Sequence, residues 1–392
     1  MNILIANLTK MVNDSGGMAK VTCNMANEFV KRGHTVSLVY SDDRVGEFYF
    51  PISEQVKRYD LRHLNGENIK FPLSLKIKRE ILRLFDKQKA RTVGLEFDDA
   101  YLAPKCQNLL ENILPDIIIS HNAGTSAMLL CTLKTDIPVI TMSHGDPADY
   151  FRVYPKASVE AVGKSVINQV LLPSYERPIN QHFPNVKTVA IGNAIPQFDF
   201  SANLSANKKQ HKIIFVGRLA KGHKRPHLLI KAFYKLTNKY PDWVVELWGS
   251  KDGNLYYKEL EYIIKKCNLQ DKVFLKGSTN DVMSKLKEAD IFAIPSAYEG
   301  FPLSLGEGMS VGLPAVGYKN CPAVNELIKD GETGFLCDDG VEPFAEALDK
   351  LMSDKELRVK MGKAAKEEMK KYAPEKIWDQ WEELIEKVIR EQ

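Results

Sequence analysis

Residues 291–311 read IFAIPSAYEGFPLSLGEGMSV. Ile291–Ile294 is an apolar run without alternation, the pattern of a strand covered on both faces. Pro302 suits the first turn of a helix, where its missing N–H is not needed, and the helix is expected to run to about Val311. Strand–loop–helix units of this kind build parallel sheets, and ligands bind where the carboxyl end of the strand meets the helix N-terminus. Glu299 then stands in the loop and Glu307 in the second helical turn. Free amides at the helix start would face an anion, and the two carboxylates would accept hydrogen bonds from hydroxyls on either side. A loop acid followed by an exposed helical Glu is the alternative that spacing leaves open.

The same alternation extends in both directions. Further strand candidates are Ile3–Ala6, Val36–Tyr40, Ile117–Ser120, Val139–Met142 and Val170–Leu172 in the first half. The second half offers Ile213–Val216, Val244–Trp248, Val273–Leu275 and Ala315–Gly317. With helical stretches between them, both halves read as doubly wound parallel sheets of an α/β protein. A chain of 392 residues suits two domains of nearly equal size. The expected division is 1–195, a polar linker at 196–210 (PQFDFSANLSANKKQ), 211–373, and a closing helix within 374–392. That helix carries Pro374 near its start and apolar residues at Ile377, Trp378, Trp381, Leu384, Ile385 and Val388.

Composition narrows the function classes. Hydrophobic residues at 44% and charged residues at 27% describe a soluble globular protein and argue against disorder. No apolar run is long enough to cross a bilayer, and Met1–Asn7 is too short for a secretory signal. Six scattered cysteines without a C-x-x-C pair favour reduced thiols and a cytoplasmic location. A net charge of +4, shared between the halves, gives no footprint for nucleic acid.

Two more segments fall at the carboxyl ends of strands. Asn13–Gly17 (NDSGG) follows the first strand, and its glycines permit positive φ and a close approach of backbone amides to an anion or a sugar; a merely tight turn is the other reading. Val216-Gly217-Arg218-Leu219 ends a strand and leads to Lys224-Arg225-Pro226 and an amphipathic stretch, His227–Lys235. An Arg fork and a Lys point charge beside a helix start can carry a leaving diphosphate, or they are two solvated cations on a loop. There is no D-x-D motif and no His/Cys cluster at ligand spacing, so no metal or other cofactor is expected.

Together these segments resemble the retaining glycosyltransferases of family 4 (glycosyl transferases group 1), over nearly the whole chain. Glu299 to Glu307 matches the family's E-x7-E signature and continues through Gly312-Leu313-Pro314, Asn325–Ile328 and Asp330–Gly334. Gly16-Gly17 with Arg32–Val36 resembles the family's first βαβ unit, and Ile191–Ala194 its turn before the linker. The resemblance implies a GT-B fold, two Rossmann-like parallel-sheet domains facing each other across a cleft, with the last helix crossing back to the first domain. It implies transfer of a hexose or N-acetylhexosamine from a nucleotide-diphosphate sugar, with UDP the commonest choice, to a glycan, lipid-linked or polymer acceptor.

By the same resemblance Arg218 and Lys224 bind the diphosphate, Glu307 the ribose and Glu299 the transferred sugar. Gly300, Phe301, Pro302, Leu303 and Ser304 line the donor, as do Gly17, Asn193, Gly217, Gly277 and Ser278. His144 in Thr141–Gly145 resembles the family's cleft histidine, and His121 and Gly16 fall on the acceptor side. Two departures stand out. The stretch from Arg218 to Lys224 is one residue longer than the family's, which makes Lys221 a rival for the phosphate. Gly308 replaces a small alanine, which loosens the helix by up to ~1 kcal/mol or admits a closer approach.

One N-terminal stretch has another pattern. Leu75–Arg91 (LKIKREILRLFDKQKAR) carries seven cations against Glu80 and Asp86, with Ile77, Ile81, Leu84 and Phe85 as an apolar stripe. Read as one helix, it docks peripherally on an anionic membrane surface or packs its stripe on the domain. Among rival functions, a nicotinamide dehydrogenase lacks its G-x-G-x-x-G after a strand. A GT-B phosphorylase, a sugar epimerase and a non-catalytic relative share the expected fold.

Overall fold

The computed structural model describes residues 1–250 and 255–391, so the range expected for the closing helix ends on a residue outside those described. The chain divides into two units, Met1–Gly192 with Trp378–Gln392, and Asn193–Ile377.

The first unit holds seven strands: β1 (Asn2–Asn7), β2 (Thr35–Tyr40), β3 (Lys57–Asp60), β4 (Ile117–Ser120), β5 (Val139–Met142), β6 (Ile167–Val170) and β7 (Thr188–Ala190). They lie in the order β3-β2-β1-β4-β5-β6-β7 and pair in parallel. Ile3, Leu4 and Ile5 are fully buried at the centre, as the absence of alternation requires. The chain winds outward from β1 in one direction and resumes at β4 in the other. The loops after β1 and β4 therefore flank the switch point.

One strand expectation shifts, and the strands Lys57–Asp60, Thr188–Ala190 and Gly334–Cys337 are not among those expected. The run Val170–Leu172 is the exit of a strand whose body is Ile167–Val170. Asn168 and Gln169 disguise it, being polar residues buried in the strand, where their amide nitrogens donate to the carbonyls of Val162 (2.8 Å) and Val170 (2.9 Å). The edge strand β3 (KRYD) has a charged sequence and an exposed edge, so it gives no apolar signal. The expected single helix over Leu75–Arg91 is two helices, Leu73–Phe85 and Lys87–Phe97. Asp86 breaks it: its backbone is extended, and its carboxylate accepts the Lys89 N–H at 3.0 Å, capping the second helix.

The second unit holds β8 (His211–Val216), β9 (Trp243–Trp248), β10 (Val273–Gly277), β11 (Ile291–Ile294), β12 (Ala315–Tyr318) and β13 (Gly334–Cys337), ordered β10-β9-β8-β11-β12-β13 and parallel. Its switch point lies between β8 and β11. The polar stretch 196–210 belongs with this unit, where Ala202 and Leu204 are buried and the Ala202 N–H donates to the Val311 carbonyl.

The final helix, Pro374–Arg390, buries Ile377, Trp378, Trp381, Leu384, Ile385 and Val388. Within the first unit its Glu382 pairs with Arg32 (2.5 Å) and His34 (3.0 Å), and Trp378 meets Phe29 edge-on at 6.1 Å. Among the described residues no helix is long and apolar enough to cross a membrane.

Candidate active site

The second unit gathers most of the expected residues at one sheet end. The helix that follows Pro302 is Leu303–Ser310, with Pro302 at its N-cap position and no side chain capping it. Its first turn is tied over the end of β8 by the Ser304 hydroxyl, which donates to the Val216 carbonyl at 2.9 Å. Glu299 and Glu307 are each only 4% exposed, which removes the reading of a loop acid and an exposed helical Glu.

The loop after β8 is stitched to the loop after β11. Lys224 Nζ donates to both Glu299 oxygens, at 2.6 and 2.8 Å. The Ala297 N–H donates to the His223 carbonyl at 2.8 Å, and Arg225 Nε to the Pro295 carbonyl at 3.1 Å. Arg225, in the left-handed region at φ 49°, turns the chain into the helix Pro226–Tyr234. Arg218 is exposed at the mouth of the same loop. Lys221 points elsewhere, exposed and paired with Glu259 at 2.8 Å, so of the two lysines only Lys224 stands with the glutamate.

Around this pair the strand exits lie close together. The Gly217 N–H donates to the Trp248 carbonyl and the Gly249 N–H to the Gly277 carbonyl, each at 2.9 Å. A Cβ on Gly249 would sit 2.2 Å from the Gly217 carbonyl oxygen, so only glycine fits there. Gly277 takes φ 78°, leaving Ser278 exposed after it, and Asn193 is buried at the start of the unit. Gly300 is half-buried, and Phe301, buried, packs edge-on against Tyr372 at 5.0 Å. Gly308 has its own reason: a Cβ would meet the Phe292 ring at 2.6 Å, so the helix backbone rests directly on the β11 side chain.

In the first unit neither Gly16 nor Gly17 uses the positive φ that a glycine permits. Gly16 has φ −72°, and the left-handed residue of the loop is Asn13 at 52°. Gly16 matters for its size, since a Cβ would lie 3.0 Å from the Asp14 carboxylate whose oxygen accepts the Gly16 N–H. Gly17 is exposed and opens the helix Gly17–Lys31. Asp42, buried at the end of β2, accepts the N–H groups of Met11 and Val12, both at 2.8 Å, and so pins this loop.

His121 and His144, after β4 and β5, stack with centroids 5.2 Å apart. The Thr22 hydroxyl lies 2.9 Å from the Met18 carbonyl and 3.0 Å from His121 Nδ1. Nε2 of both rings is buried with no hydrogen-bond partner among the described residues. Burial, with the neighbouring His144 adding, holds His121 well below the usual histidine range, and burial pushes His144 down to about 4. Both rings are neutral near pH 7.

Asp42, His223 and Gly249 are absent from the sequence-level candidates. An acid that binds backbone amides has no spacing signature, and Gly249 and His223 act through contacts made only when the strand exits converge.

Two family models match the chain: Glycosyltransferase Family 4 over residues 15–174 and Glycosyl transferases group 1 over 197–368. The chain is 26% identical over 381 residues to an uncharacterized glycosyltransferase of Haemophilus influenzae, covering 95% of this chain and 97% of that protein. It is 31% identical over 319 residues to the N-acetyl-alpha-D-glucosaminyl L-malate synthase of Bacillus anthracis, covering 75% and 80%. The crystal structure of the pneumococcal O-GlcNAc transferase GtfA in complex with UDP and GlcNAc matches 99% of both chains at a TM-score of 0.73 and 14% identity. Two Rossmann-like parallel sheets and these matches agree: the chain belongs to the group 1 glycosyl transferases of family 4 and has the GT-B fold.

Proposed function

We propose that this glycosyltransferase moves a hexose or N-acetylhexosamine from a UDP-sugar to a glycan, lipid-linked or polymer acceptor, with retention at the anomeric carbon and without a divalent metal. The observation that carries the reading is the Lys224–Glu299 pair beside the first turn of Leu303–Ser310. Arg218, Lys224 and the free amides of that turn take the diphosphate charge. Glu307 holds the ribose and Glu299 a sugar hydroxyl. Gly17, Asn193, Gly217, Gly277 and Ser278 complete the donor site, and Gly16, His121 and His144 serve the acceptor side.

In the reaction the bond from the anomeric carbon to the phosphate oxygen breaks as the acceptor oxygen attacks the same face. The acceptor proton passes to the departing phosphate, so no enzyme nucleophile is needed. The names of two similar proteins include N-acetylglucosamine, and one complex holds UDP, which supports UDP-N-acetylhexosamines as the first donors to test. The test is anomeric analysis of the product formed with EDTA present. An α-linked product from an α-donor supports the account; an inverted product or a trapped glycosyl-enzyme overturns it. Phosphate-dependent breakdown of an oligosaccharide without nucleotide would favour a phosphorylase instead.

A further inference from the structure

The helix Leu73–Phe85 is anchored to the first unit by one face only. Leu75 packs against the core of that unit, Arg79 lies over the Phe71 ring at 5.0 Å, and Lys78 pairs with Glu96 at 2.7 Å. No residue of this helix is fully buried. On the opposite side Leu73, Ile77, Ile81 and Leu84 recur at helical spacing, and Phe85 extends the row. These five are 52–83% exposed. An apolar row of this length turned outward is not explained by packing within the unit.

The surroundings of the row decide its partner. Residues 75–91 carry seven cations and two acids, and with Glu96, the partner of Lys78, counted in, four positive charges remain in excess. Lys76 is exposed on the same helix, and Lys87 and Lys89 are exposed in the first turn of the next, Lys87–Phe97. A second copy of the chain would bring the same excess against itself. A negatively charged bilayer satisfies both features, with the apolar row entering the headgroup boundary and the cations meeting lipid phosphates. We propose that Leu73–Phe85 is the surface by which the enzyme docks on an anionic membrane. The inference goes beyond the proposed reaction and uses none of its residues.

The experiment is co-sedimentation of the full chain with phosphatidylcholine vesicles, with and without about 30% phosphatidylglycerol. Binding is expected only with the anionic lipid and is expected to weaken as salt is raised. Ile77→Ser with Leu84→Ser, and separately Lys76→Glu with Lys87→Glu, are each expected to weaken it by about tenfold or more. All these side chains are exposed, so unchanged thermal midpoints verify the fold. UDP release by the variants in solution is expected to match the wild type, which separates this proposal from the catalytic one. Equal binding to neutral vesicles, or binding indifferent to both variants, overturns it. So does concentration-dependent self-association that the serine variants abolish, since a second copy would then cover the row.

Discussion

Lys224 Nζ lies 2.6 Å from one oxygen of Glu299 and 2.8 Å from the other, joining the loop after β8 to the loop after β11. Both side chains are largely buried, at 14% and 6% exposure. Removing one partner strands the other charge, at about 3–5 kcal/mol if fully buried. Glu299→Ala therefore confounds stability with activity, whereas Glu299→Gln keeps the shape and an accepting oxygen. Glu299→Gln is expected to lower kcat by about a hundredfold with donor affinity held or tightened, because Lys224 is released to the phosphate. Donor titration and steady-state kinetics check this, and an unchanged kcat would contradict it.

The two candidate lysines separate cleanly. Lys221 is exposed, and its pair with Glu259 contributes about 0–1 kcal/mol as a surface ion pair. Lys221→Ala is expected to leave donor affinity within about twofold of wild type, while Lys224→Ala weakens it by about tenfold or more. Calorimetric titration with UDP distinguishes them, and the reverse order would move the phosphate site.

Gly308→Ala tests packing against propensity. Helix propensity alone predicts up to ~1 kcal/mol of stabilisation. The contact of a Cβ with the buried Phe292 ring at 2.6 Å predicts a loss of about 1–3 kcal/mol instead. Denaturant unfolding reads the sign directly.

The neutral histidines make stability depend on pH. His144 stays neutral down to about 4 when folded but takes its proton near the usual 6.5 when unfolded. The unfolded chain thus binds more protons in that window, so this contribution is present above about pH 6.5 and is lost as the pH falls towards 4. Burial lowers His121, His223 and His227 in the same direction. Asp98, pushed up to about 7 by burial, acts oppositely, because the folded state holds its proton there. The net expectation is weaker stability at pH 5 than at pH 7. In His144→Gln the slope is shallower, and an unchanged slope would show that the ring is not protected from protons.

Much of this architecture was legible in the sequence because parallel strands buried on both faces are simple apolar runs, and Ile291–Ile294 and Ile213–Val216 need no alternation to be seen. The E-x7-E spacing places Glu299 before a helix and Glu307 within it, since Pro302 marks the start. What stayed hidden depends on tertiary contact. β6 is masked by Asn168 and Gln169, whose amide nitrogens find their carbonyl partners only in the folded chain. The break at Asp86 is a contest between an apolar period and a capping carboxylate, which the cap wins. The contact of His121 with Thr22 joins residues 99 positions apart in sequence.

The most direct test of the central claim is UDP release from a panel of UDP-sugars with EDTA present, comparing the wild type with Glu299→Gln. The account predicts turnover of one donor that survives EDTA and falls by about a hundredfold in the variant. Turnover abolished by EDTA, or retained in full by Glu299→Gln, would contradict it.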